Sequence, residues 1–142
     1  MSDIWGDIFE QPKIKAPKAV VEEWIPKIED ASKKTVTGTV AQVNTGNNSI
    51  MYAFSLVSSR NNYQYRLFNI AHEALFYPCL IALEGEIVTQ VNRPEYYKQI
   101  VIGGFPQAGF LSQNEEELVA ILDLVMRTAR VKQILRAIYS ME

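Results

Sequence analysis

"TVTGTVAQVNTGNNSIMYAFSLV" (residues 35–57) reads as two strands around a turn. The run 35–43 is rich in β-branched residues, which pack well on a pleated, half-buried surface. The run "IMYAFSLV" (50–57) is free of charge on both of its alternating faces. Between them, "NTGNNS" (44–49) gathers residues that tolerate positive φ or hydrogen-bond their own backbone. Two such runs joined by such a turn predict a β-hairpin, and the hairpin decides the fold class.

The strand signal continues toward the C-terminus. After "SSRNN" as a second turn, "YQYRLFNIA" (63–71) predicts a third strand, with Tyr63, Tyr65 and Leu67 on one face and Arg66, Phe68 and Ile70 on the other. "CLIAL" (79–83) and "EIVTQV" (86–91) read as one bent strand or two, pivoting near Gly85, and "YKQIVIG" (97–103) as the last. Helical patterns flank this series. From Pro17 to Lys34, Val20, Val21, Trp24, Ile25 and Ile28 recur at spacings of three and four, with acids opposite. Pro26 is expected to kink that helix or to split it in two. Near the C-terminus, Ser112/Glu115 and Asn114/Glu117 both fit a capping box. The stripe Leu118, Leu122, Val125 then shifts to Val131, Ile134 and Ile138, which predicts two helices, 114–128 and 129–140. The expected fold is α+β: an antiparallel β-meander of five or six strands flanked by an N-terminal helical segment and C-terminal helices. Residues 1–18 read as a tail or linker and 19–142 as one domain.

Composition narrows the function classes. An apolar fraction of 48% with 21% charged residues suits a folded domain rather than a disordered chain. One cysteine cannot form an internal disulfide, so a reducing, cytoplasmic setting is expected. No run approaches the roughly 18–20 apolar residues of a bilayer span, so no membrane role is expected. Charge is uneven: residues 1–35 carry 13 charges and 115–142 carry nine, while the 79 between carry eight. A sheet with one wet face normally alternates apolar and polar residues. So little charge implies that both faces are covered, by helices or by another chain.

The sole histidine, His72, and sole cysteine, Cys79, lie in "FNIAHEALFYPC", with Glu73 beside the histidine. A metal site needs three or four ligands, often in closely spaced pairs, so no metal and no cofactor are expected. Cys79 opens an apolar run, where a thiol is ordinarily an inert small hydrophobe. His72 and Glu73 remain the weak catalytic candidates, set against a histidine simply hydrogen-bonded at a strand end. "IVIGGFPQAGF" has the glycines of a phosphate loop but lacks Lys-Ser/Thr after them, and three glutamates open the next helix. It reads instead as an aromatic-bearing loop with Phe105 and Phe110. The cations of the last helix are outnumbered by anions over 115–142, which disfavours nucleic acid as a partner.

Residue types enriched at binding hot spots occur in "NRPEYYK" (92–98), with Arg93, Tyr96 and Tyr97, and in the acidic, aromatic "DIWGDIF". The expected protein-binding residues are Trp5, Phe9, Val57, Arg93, Tyr96, Tyr97 and Phe105. The functional expectation is a non-enzymatic intracellular protein-interaction module: an adaptor, an assembly component or an immunity-type protein that neutralises a toxin. Its partner would be another protein or a second copy in a homo-oligomer. The alternatives are a small-ligand binder or enzyme using His72 and Glu73 in an apolar, tyrosine-lined pocket, and an OB-like module for single-stranded nucleic acid.

Overall fold

The computed structural model describes residues 4–43, 45 and 48–141, and of Phe105 the backbone alone. It is an α+β fold with a six-stranded antiparallel sheet. The strands are β1 (Val36–Val43), β2 (Ile50–Ser58), β3 (Gln64–His72), β4 (Cys79–Leu83), β5 (Tyr97–Ile102) and β6 (Phe105–Ser112). The helices are α1 (Gly6–Glu10), α2 (Pro17–Glu22), α3 (Trp24–Ala31), α4 (Gly85–Val91), α5 (Glu115–Met126) and α6 (Ala129–Tyr139). Asn44, Gly46 and Asn47 of the first turn lie outside the described residues, but the hairpin they join runs in full register from Val36 opposite Ser58 to Val43 opposite Met51.

The first four strands follow chain order; then β6 pairs with β4 and β5 takes the edge, giving β1-β2-β3-β4-β6-β5. Two segments differ from the sequence reading. "EIVTQV" is helical, as α4. Its β-branched composition is a weak preference that packing overrides: Ile87 is buried in the core, with Val88 and Val91 packed against it at helical spacing. Asn92 closes the helix at φ 54°, a left-handed position that asparagine tolerates. The segment "FPQAGFLS", read as a loop, is β6. Its Pro106 falls where β6 pairs with β5 alone, because β4 meets only Phe110–Ser112. The missing N–H therefore costs no second ladder bond.

Gly103 and Gly104, at φ 59° and 85°, form the two-residue connection between the paired Ile102 and Phe105. Positive φ at both central positions is the geometry that matches strand twist in a tight hairpin. A bulge also alters β3. Phe54 faces Phe68 and Ser55 faces Arg66, so Leu67 is the extra residue. Consecutive Leu67 and Phe68 are consequently both buried in the core, not on opposite faces.

Helices α2–α6 cover one sheet face. Phe54 and Leu56 of β2, Ile70 of β3 and Ile81 of β4 join Val21, Leu118, Leu122, Val125, Val131 and Ile138 in a single core. Phe54 stacks on Phe68 with ring centroids 5.1 Å apart. The N-terminal helical segment breaks at Glu23, leaving Pro26 in the first turn of α3, where a residue without an N–H loses no helical bond. At the start of α5, Asn114 Oδ1 accepts from Glu117 N at 2.9 Å, while Glu117 Oε1 accepts from Gln113 N. Thr128 caps α6 by accepting from Val131 N, and so divides the two helices.

On the other face the β5–β6 hairpin bends back over the sheet. Ile102 is buried with Ala71 and Leu80, and Ile100, Met51 and Leu111 pack around them. The hairpin tip reaches the loop after β3, where Gly103 N donates to Glu73 Oε2 at 3.3 Å. Part of the second face is thus hidden by the chain's own strands. No helix among the described residues is long and apolar enough to cross a membrane.

Candidate functional site

His72 ends β3, where the chain leaves the sheet, and is only 2% exposed. Its Nδ1 lies 2.7 Å from the Glu73 carbonyl oxygen, and its ring stands edge-on to Phe76 with centroids 5.7 Å apart. Glu73 points outward; its carboxylate accepts from the Gly103 N–H rather than meeting the imidazole. Cys79 is fully buried, and burial pushes its thiol up to about 12. A thiol held so high carries almost no thiolate at neutral pH and is no nucleophile. The three neighbours in sequence do not converge on a common opening. Among the described residues, no group of three or more His, Cys, Asp and Glu side chains is placed to hold a metal ion.

A polar cluster that sequence reading did not single out joins three distant segments. Tyr65 on β3 donates to Glu84 Oε2 at 2.7 Å, and Arg130 on α6 donates from Nε to Glu84 Oε1 at 2.5 Å. Arg130 Nε also lies 3.6 Å from Glu86 Oε2, and the Arg130 backbone N–H donates to Gln90 of α4 at 2.7 Å. The bond to Glu84, with burial, holds the Tyr65 phenol above its usual value. Burial pushes Glu84 upward, but hydrogen bonds from Arg130 and Tyr65 outweigh it and leave the carboxylate below its usual range. The hydrogen bond to Glu84 raises Arg130 further. At neutral pH the cluster is therefore a neutral phenol between two fixed charges, which clamps α4 and α6 onto the sheet and offers no acid or base near pH 7. The only sequence signal was the scarcity of charge in the middle of the chain, which made Glu84 conspicuous without naming its partners.

The expected binding residues fall in separate places. Trp5 and Phe9 lie on or beside α1, in which no residue is buried; Trp5 is 58% and Phe9 83% exposed. Val57 is half-buried on β2, opposite Thr37 and Gln64. Arg93 and Tyr97 line a cavity of about 290 Å³ with Val88, Pro94 and Phe110. Tyr97 is edge-on to Phe110 at 6.0 Å. Tyr96 instead packs against the helix-covered core. The side chain of Phe105 lies outside the described residues.

A groove of about 430 Å³ lies between α3 and α6, with Met126 from the end of α5. Trp24, Ile28, Val36, Met126 and Leu135 supply its apolar walls, and both charged side chains that line it, Lys27 and Arg136, are cations. Trp24, one of the apolar residues at helical spacing, packs against the core but is half-buried, with Lys27 Nζ 4.4 Å from its ring centroid. Comparison with protein-family models, with curated proteins and with solved structures finds no match to this chain.

Proposed function

We propose that the protein is a non-enzymatic interaction module of the cytoplasm, whose activity is to bind another protein chain. One observation carries this reading: Trp5, just before α1, and Ile8 and Phe9 within it are exposed, and no residue of α1 is buried. Large exposed apolar side chains grouped on one short segment are the composition of a linear anchor that gains its energy by docking. A proline-bearing spacer, residues 11–16, separates the anchor from Pro17, the first buried residue among those described. The lone buried thiol of Cys79 suits a reducing compartment.

The test is affinity capture from the protein's own cells, comparing wild type with a Trp5→Ala/Phe9→Ala variant. The reading requires a protein that co-purifies stoichiometrically with wild type and is lost with the variant. Identical captures from both, or none from either, would remove it.

A further inference from the structure

We propose that the groove between α3 and α6 receives the α1 segment of a second copy of this chain, and that two copies exchange these segments reciprocally. This rests on the interaction reading above and names the partner. Segment and groove are complementary in character. Residues 4–11 carry Ile4, Trp5, Ile8 and Phe9 together with Asp7 and Glu10, and the first cation of the chain is Lys13. Ile4, Trp5, Ile8 and Phe9 are spaced one and four apart, so that in a helix they share one face. The groove offers Trp24, Ile28 and Leu135 for that face, and its charged lining is Lys27 and Arg136 alone. An acidic amphipathic segment thus meets an apolar groove whose charged lining residues are both cations. A volume of about 430 Å³ lies within the usual range of roughly 300–1,000 Å³ for occupied pockets, enough for anchoring aromatic side chains.

The chain's own segment does not fill the groove: Trp5 and Phe9 stand 58% and 83% exposed, although Lys15, six positions after Phe9, pairs with Glu23 next to the groove residue Trp24. A groove left open by its own segment is free to take that of a second copy. Because each copy both gives and receives a segment, the exchange closes as a twofold dimer rather than a growing chain.

The experiment is multi-angle light scattering of the full chain over a concentration series. Wild type is expected at twice the chain mass, and Trp5→Ala/Phe9→Ala, which removes no buried side chain, at the monomer mass. Arg136→Glu is expected to weaken the dimer about tenfold or more, and Asp7→Arg added to it to recover part of the loss. A wild-type monomer throughout the series would overturn the exchange. So would a dimer that survives the Trp5/Phe9 substitutions, or isotope-filtered NMR contacts between α1 and the groove within one chain only. A monomer whose captured partner still depends on Trp5 and Phe9 would sink the exchange while leaving the interaction reading intact.

Discussion

Gly109 of β6 runs so close to Ile81 of β4 that a β-carbon built on it would stand 2.2 Å from the Ile81 carbonyl oxygen. This approach comes where β6 leaves β4 and the β5–β6 hairpin begins to cross the second face. The neighbour is backbone, so no rotamer change can make room. Gly109→Ala is expected to destabilise the protein by about 3 kcal/mol, the upper end for overpacking. Gly85, at the start of α4, has nothing within 4 Å of its β-carbon position. Gly85→Ala is therefore expected to be neutral or to stabilise by up to about 1 kcal/mol. Urea midpoints of the two variants check the contrast, and equal midpoints would mean that β6 does not approach β4 as described.

The Tyr65–Glu84–Arg130 cluster makes stability fall at both extremes of pH. Glu84 is held below its usual value, so its contribution is complete above the ordinary glutamate value of about 4.3 and is lost as pH falls through the lowered native one. Tyr65 is held above its usual value, so its contribution is complete below about 10 and is lost as pH rises through the raised native one. Glu84→Gln is expected to flatten the acid limb of a plot of denaturant midpoint against pH. Tyr65→Phe is expected to soften the alkaline limb without abolishing it, since burial also pushes Tyr77 up to about 12. Unchanged limbs in both variants would show that the cluster does not clamp the fold.

Cys79 is expected to resist alkylation in the native state. Its thiol is fully buried and pushed up to about 12 by that burial. Iodoacetamide labelling followed by mass spectrometry is expected to modify the unfolded chain promptly and the native chain only at the rate of opening. Prompt native labelling would contradict the burial of β4.

Leu122 sits at the centre of the core, fully buried among helix and sheet residues. Leu122→Ala removes most of a buried side chain and leaves a cavity that neighbouring helices cannot fill, at a cost of about 2–5 kcal/mol. An unchanged urea midpoint would mean that α5 is not packed on the sheet.

What is local was legible in the order of the residues. The hairpin 36–58, the helical segment starting at Pro17, the Asn114/Glu117 cap and the break between α5 and α6 were legible because each is set by residues a few positions apart. Alternation, turn chemistry and capping act over such distances. Long-range packing set the rest. "EIVTQV" is apolar and β-branched, yet it is a helix because β6, not that segment, takes the place beside β4. The two adjacent glycines were a hairpin signal of their own, but Pro106 and Gly109 obscured the second strand. That strand becomes favourable only with β5 on one side and β4 on the other. His72 and Glu73 are neighbours in the chain, but His72 ends β3 buried while Glu73 opens the exposed loop and accepts from Gly103, so adjacency did not make them a site. Tyr65, Glu84 and Arg130 meet across as many as 65 residues, a separation that no periodicity encodes. The groove facing Trp24 exists only because the fold brings residues of α3 and α6 to line one opening. Propensity acts along the chain, whereas a site is made by whatever packing brings together.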